Sequence, residues 1–306
     1  MKAMILAAGY GTRLRPITYL LPKPMVPLCG KPLIAWAIEA LMRAGVRDFV
    51  VNLHHLPDTI RRDLPTRFPD AHFDFSFEPE ILGTGGGVRK VRSLLERDDD
   101  FLLVNGDSVA SPPYDELRAA RKHRDSLAAL TLRHPPPNDR FTPVFFKDGL
   151  ITGFGEGRGE ALMFSGTHVI SSRIFRYLPD RDFSGIVEDV YKPLLQSGSE
   201  TLAGVVDDGL WFDIGTPQRY LEASRSMPNC AATGARSSVE GEVRNSVIWD
   251  DCRIGRDAKL ESCIVAHGVT IASPMRLKNA IVCRDDASIP RDAGYQFENG
   301  LVIAQF

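Results

Sequence analysis

The sequence predicts a mostly parallel α/β body followed by a short β-helix, and two observations carry that prediction. In the N-terminal part, short apolar runs alternate with segments whose apolar residues recur at helical spacing, the pattern of strands joined by crossover helices. After Gly234 the period changes to six residues, the signature of hexapeptide coils that stack their apolar positions into a core.

The elements follow in chain order. Met4-Ile5-Leu6 is a buried-strand candidate and leads into a Gly- and Pro-rich loop from Gly9 to Pro32. Leu33, Ile34, Ala37, Ile38, Leu41 and Met42 repeat at helical spacing up to Gly45, where a helix would stop. Phe49-Val50-Val51 reads as the next strand, and Phe73, Phe75 and Phe77 alternate with polar residues at a strand's period. Gly83 to Gly87 precede a helix carrying Val88, Val91, Leu94 and Leu95. Phe101 to Val104 is a further buried strand, ending at Asn105-Gly106-Asp107. In such sheets ligands bind beyond the carboxyl ends of the strands, where Gly9 and Asp107 both stand.

The middle is less regular. Strands are expected over 127–132, 144–146, 150–154 and 163–170, helices over 171–178 and 185–195, and an exposed turn at Pro135-Pro136-Pro137. Pro217 opens a short helix to Ser226. The six-residue repeat runs through Ile248, Ile254 and Leu260, slips by one, and resumes at Val265, Ile271, Leu277, Cys283 and Ile289. At ~18 residues per coil this makes about three coils. The expected division is 1–230 and 235–306.

Composition removes several function classes. Thirty-seven basic and 39 acidic residues give a net charge of -2, without the basic domain that bulk nucleic-acid binding requires. A small anion needs only one or two local cations. Cys29, Cys230, Cys252, Cys263 and Cys283 show no CxxC spacing, so neither a disulfide framework nor a zinc cluster is expected and a reducing cytoplasm fits. No stretch approaches the ~20 apolar residues of a membrane span.

Chemistry concentrates in Leu6 to Pro16 and in Pro22-Lys23-Pro24. Glycines after a strand let backbone N–H groups approach phosphate oxygens, and Arg13 and Lys23 could supply fixed positive charge to them. A nucleoside triphosphate is an anion of that size. The dinucleotide fingerprint fails because Leu14 stands at its third glycine; a Walker A loop fails because Met25 opens it and Pro32 follows Gly30-Lys31.

These residues, with Leu82-Gly83-Thr84-Gly85-Gly86-Gly87, Val104-Asn105-Gly106-Asp107 and Trp211-Phe212-Asp213-Ile214-Gly215-Thr216-Pro217, resemble the motifs of sugar-1-phosphate nucleotidylyltransferases over residues 1–226. The resemblance implies a Rossmann-like, mostly parallel mixed sheet and a short left-handed β-helix. It also implies roles. Arg13 would contact the triphosphate and Lys23 the α-phosphate as catalytic groups. Asp107 and Asp213 would hold Mg²⁺. Leu6, Ala8, Gly9, Gly11, Thr12, Glu78, Gly83 and Thr84 would bind the nucleotide, and Asn105, Gly166 and Glu188 the sugar phosphate. Each aspartate has a plainer reading as well: Asp107 could cap a turn and Asp213 the helix near Pro217.

The partners implied are an NTP and a sugar 1-phosphate, with no nucleic acid and no membrane. The Gly85-Gly86-Gly87 triplet and the Val104-Asn105-Gly106-Asp107 run are similar to N-acetylmuramate-1-phosphate uridylyltransferases, which puts UTP first. Leu-Gly-Thr-Gly is similar to mannose- and heptose-1-phosphate guanylyltransferases, which puts GTP next. The family's Glu-Lys-Pro lysine is missing; Arg158 and Lys192 are substitutes to consider. Two other functions are weighed. A non-catalytic regulatory subunit would tend to lose Arg13, Lys23, Asp107 or Asp213, and all remain. An acyltransferase tail would offer His267, which reads as an ordinary coil-surface residue. The tail reads instead as packing or as a homodimer contact.

Overall fold

The computed structural model describes residues 1–136, 141–272 and 274–306; Pro137 of the proline turn lies outside the described residues. Backbone packing divides the chain into two units, Met1–Gly9 with Trp36–Trp211 and Tyr10–Ala35 with Phe212–Phe306.

The first unit is built on a nine-stranded mixed sheet. Its strands are β1 (Ala3–Leu6), β2 (Asp48–Leu53), β3 (His72–Phe77), β4 (Asp100–Asn105), β5 (Ala128–Arg133), β6 (Val144–Lys147), β7 (Leu150–Phe154), β8 (Glu160–Ser171) and β9 (Leu202–Val206). Their order is β3-β2-β1-β4-β8-β5-β9-β7-β6. The quartet β3-β2-β1-β4 is parallel throughout, and β8 runs antiparallel to β4 and β5. Continuous apolar runs such as Phe101 to Val104 suit strands buried on both faces. Met4, Val50, Leu103, Leu130 and Ile170 meet in one core.

The helical period over 33–42 yields α1 (Leu33–Arg43). Two further helices, α2 (Pro57–Arg67) and α4 (Tyr114–His123), stand either side of α3 (Gly83–Lys90). Only Ile60 and Leu64 of α2 are buried, too few apolar positions to make a period visible. The helices expected over 171–178 and 185–195 are shorter and tighter or looser than a regular α-helix. One is a 3₁₀ turn at Ser172–Arg176; the other a π-turn at Val187–Tyr191 leading into Lys192–Ser197.

The second unit contains a β-hairpin, α5 (Pro217–Ser226) and the β-helix. In the hairpin Leu28 pairs with Lys31 across Cys29-Gly30, both at positive φ, as a two-residue type I′ connection requires. The expectation of no disulfide is corrected here: Cys29 and Cys230 are bonded across 201 residues, their Cα atoms 4.6 Å apart. Such a pair leaves no spacing motif to read. Cys252, Cys263 and Cys283 are free thiols and buried.

The β-helix has three parallel faces. Each coil returns after 17 residues, Glu242 pairing with Lys259 and Lys259 with Arg276. The one-residue slip in the sequence is therefore a feature of the coil itself: two six-residue sides and one of five. Inward columns follow it, Ile254 over Ile271 and Val265 beside Val282. Left-handed residues turn the same corner in successive coils at Asn245, Ser262 and Asn279. The expected continuation through Cys283 and Ile289 differs. Val282 takes the inward position, and the third face is closed by an antiparallel hairpin of Gln296–Glu298 and Leu301–Gln305.

Candidate functional site

At the carboxyl ends of β1, β2 and β4 the first unit holds a cavity of about 250 Å³. Six of the eight predicted nucleotide residues line it: Leu6, Ala8, Gly9, Glu78, Gly83 and Thr84. Asn105 and Asp107 line it too, as do Asn52 and Ile81, which sequence reasoning missed. Asn52 had one signal, an amide near the end of the otherwise apolar run Phe49 to Leu53. Among the described residues the lining carries two carboxylates, two amides and no lysine or arginine.

Two side chains hold the rim. The Ala7 N–H donates to Asn52 Oδ1 at 2.7 Å, and Asn52 Nδ2 donates to Glu78 Oε1 at 2.8 Å. The Leu82 N–H donates to Glu78 Oε2 at 3.0 Å. Glu78 is 1% exposed and Asn52 3%, so both carboxylate oxygens are engaged within the protein.

The glycine-rich start of α3 has a packing cause. The Gly85 and Gly86 N–H groups donate to the Ser184 carbonyl at 2.8 and 3.2 Å, the Ser184 N–H donates to the Leu82 carbonyl, and the Ile186 N–H donates to Thr84 Oγ1. Gly83 has φ +72, and a Cβ there would stand 2.5 Å from the Ser184 oxygen. On Gly87 a Cβ would stand 3.1 Å from Glu78 Oε1 and 3.3 Å from Asn52 Nδ2. The triplet thus admits the 182–186 segment on one side and the Asn52–Glu78 pair on the other.

Of the predicted sugar-phosphate residues, Gly166 lies against Asn105, whose amide would collide with any Cβ there. It sits where the β8–β5 register shifts between Phe164 and His168, a bulge that re-aims the strand beside the cavity. Glu188 does not join them: its side chain is 65% exposed and pairs with Lys192 Nζ at 2.6 Å. Lys192, considered as the missing lysine, is held in that pair. Nearby, Asp189 accepts the Gly185 N–H and an Arg181 ion pair, which hold its carboxyl below the usual carboxylate range. Under the sheet, His168 Nδ1 meets Tyr191 Oη at 3.0 Å, and burial pushes His168 down to about 3.

The second unit carries the predicted cations. Gly11 has φ +62, and a Cβ on it would stand 2.8 Å from Lys23 Cβ, so glycine lets the Lys23 stem approach the loop. Thr18 Oγ1 donates to the Gly11 carbonyl at 2.9 Å. Lys23 is buried at 7% exposure, while Thr12 and Arg13 are exposed. Arg13 Nη2 and Asp213 Oδ2 flank Gly215, 2.9 and 3.0 Å from where its Cβ would be. Asp213 is ion-paired with Arg219, and the cap of α5 is Thr216, whose Oγ1 accepts the Arg219 N–H; the capping reading of Asp213 is corrected accordingly. His267 packs on the Trp249 ring, centroids 5.0 Å apart. Among the described residues no helix is long and apolar enough to cross a membrane.

The profile of a family described as Nucleotidyl transferase matches residues 2–229, and that of a GlmU-like, C-terminal hexapeptide matches residues 222–295. The chain is 30% identical to the mannose-1-phosphate guanylyltransferase catalytic subunit beta of Xenopus tropicalis, a match covering 72% of this chain and 63% of that protein. The chain thus spans 63% of the length of that curated relative. It is 27% identical to the Danio rerio protein of the same name over 94% of this chain and 92% of that one. The solved structure of HddC from Yersinia pseudotuberculosis complexed with GMP-PN superposes with a TM-score of 0.61 at 27% identity, covering 72% of this chain and 97% of that one.

Proposed function

The chain belongs to the nucleotidyl transferase family, and from that premise we propose that it joins a nucleoside triphosphate to a sugar 1-phosphate, forming a nucleotide sugar and releasing pyrophosphate. The observation that carries this reading is the cavity at the strand ends, whose amide, carboxylate and backbone lining suits an uncharged nucleoside. A phosphate oxygen of the sugar 1-phosphate attacks the α-phosphorus, a new P–O bond forms, and the bond to the β-phosphate oxygen breaks. The attacking group is already an anion, so no general base is required. What the protein must supply is alignment of two mutually repelling anions and neutralisation of charge, the roles proposed for Arg13 and Lys23.

Asp107 and Asp213 are the proposed Mg²⁺ ligands. Their hard oxygens fit Mg²⁺, which is commonly held by one or two carboxylates together with substrate phosphates. When bound, the ion neutralises charge on the triphosphate and the departing pyrophosphate.

GTP with a mannose- or heptose-type 1-phosphate is the pairing proposed first. The relatives named above are guanylyltransferases, and the triplet similar to uridylyltransferases packs against the 182–186 segment and the Asn52–Glu78 pair. The test is a matrix of NTPs against sugar 1-phosphates with Mg²⁺, read by pyrophosphate release. Release in the GTP row supports this pairing, release confined to UTP reverses it, and release nowhere removes the transferase reading. A homodimer through the tail is proposed as well; sedimentation of the full chain at monomer mass overturns it. The proposed compartment is the cytoplasm. Fractionation of cells producing the full chain checks it: recovery with a cytoplasmic marker supports it, and recovery with an extracytoplasmic one overturns it.

A further inference from the structure

We propose that Asn52 and Glu78 form a hydrogen-bond relay converging on the Glu78 carboxylate that fixes the nucleoside cavity, and that Glu78 is a positioning residue, not a base contact. This rests on the nucleotidyltransferase reading for the cavity's occupant only. The relay joins two edges of the cavity: Ala7 lies between the lining residues Leu6 and Ala8, and Leu82 between Ile81 and Gly83.

Its polarity follows from the chemistry of its ends. Both are backbone N–H groups, which only donate. Between two donors, two bonded side chains must present three accepting positions and one donating one. An amide followed by a carboxylate does this: Asn52 accepts from Ala7 and donates to Glu78, and Glu78 accepts again from Leu82. Two amides would set donor against donor, and two carboxylates acceptor against acceptor. The only other pairing with these shapes reverses the two, aspartate at 52 and glutamine at 78. Glu78 also places negative charge at the start of α3, where a helix favours it. Gly87 leaves the room in which the pair meets.

The reversal is the experiment. Full-length wild type, Glu78→Gln, Asn52→Asp and the double variant Asn52→Asp/Glu78→Gln are titrated with GTP and with UTP by calorimetry. Amide hydrogen exchange at Ala7 and Leu82 is followed without ligand. Each single change should weaken nucleotide binding about tenfold or more, as an unmatched buried polar contact does, and speed exchange at both amides. The double variant should regain slow exchange and bind within about threefold of wild type. Asn52→Asp alone should recover in part as pH falls, because one proton between the two carboxylates restores the missing donor. If Glu78 instead touches the base, Glu78→Gln loses affinity with both amides still protected, and reversal restores nothing; that overturns the relay. Wild-type affinity with slow exchange in Glu78→Gln overturns it as well. If wild type binds neither nucleotide, the transferase reading fails, while the exchange pattern still decides the relay.

Discussion

The cavity of the first unit and the signature segment of the second divide the chemistry by charge. Among the described residues, the polar side chains lining the cavity are Asn52, Asn105, Glu78, Asp107 and Thr84, with no lysine or arginine. The segment around Gly11 and Gly215 gathers Arg13, Lys23 and Arg219 with one carboxylate, Asp213. A nucleoside is polar but uncharged, so amides and backbone recognise it; phosphates need fixed cations. A net charge of -2 conceals this division, because opposite local charges cancel in the sum.

Lys23→Ala should lower turnover by about three orders of magnitude, the scale of losing one preorganised charge contact in the transition state. Its melting temperature should stay near wild type. Comparable turnover would mean that the cations of the second unit are not the phosphate-handling group. Next comes acid. Burial holds His168 at about 3, below its unfolded value of 6.5, so the folded state binds fewer protons. The stability this contributes is complete above pH 6.5 and drains as pH falls towards 3, on the order of 5 kcal/mol in all. Urea midpoints at pH 7, 5 and 4 should fall in wild type and fall less in His168→Phe. Equal slopes would show that the sheet body does not set acid sensitivity.

Two smaller changes separate the units further. Gly83→Ala adds a Cβ at positive φ against the Ser184 carbonyl, which should cost about 1–3 kcal/mol and raise KM for the nucleotide more than KM for the sugar phosphate. Equal rises would detach the 182–186 contact from nucleotide binding. Thr216→Ala removes the α5 cap and should cost about 1 kcal/mol with turnover unchanged. A turnover loss would mean that the cap orients Asp213 through Arg219.

What could be read in the chain beforehand depended on how local its cause was. Met4 to Leu6 and Phe101 to Val104 announce buried strands because every residue in the run is apolar. The coil slip between Leu260 and Val265 is local too, and the 6-6-5 division explains it. Leu6, Ala8, Gly9, Gly83, Thr84 and Asp107 belong to short motifs and come together in one cavity. The reason for three glycines at 85–87 was hidden, because half of it lies at Asp182 and Ser184, a hundred residues on. Asn52 was hidden because a single amide in an apolar strand has no pattern. Cys29 and Cys230 were hidden for the same reason of distance. Glu188 pairs with Lys192 one helical turn on, a contact that its motif did not announce.

The 17-residue coil limits how this tail can change over evolutionary time. Every inward column, such as Ile254 over Ile271, lines up only if each turn omits its sixth residue at the same corner. An in-frame duplication of 17 codons would add a whole storey without disturbing those above or below. One of 18 would swing every later column out of line, so length variation in this region should come in whole coils. The closing hairpin pairs antiparallel with Ala280–Arg284, on the edge that the next parallel coil would use, so a new storey on that face would enter by insertion before it.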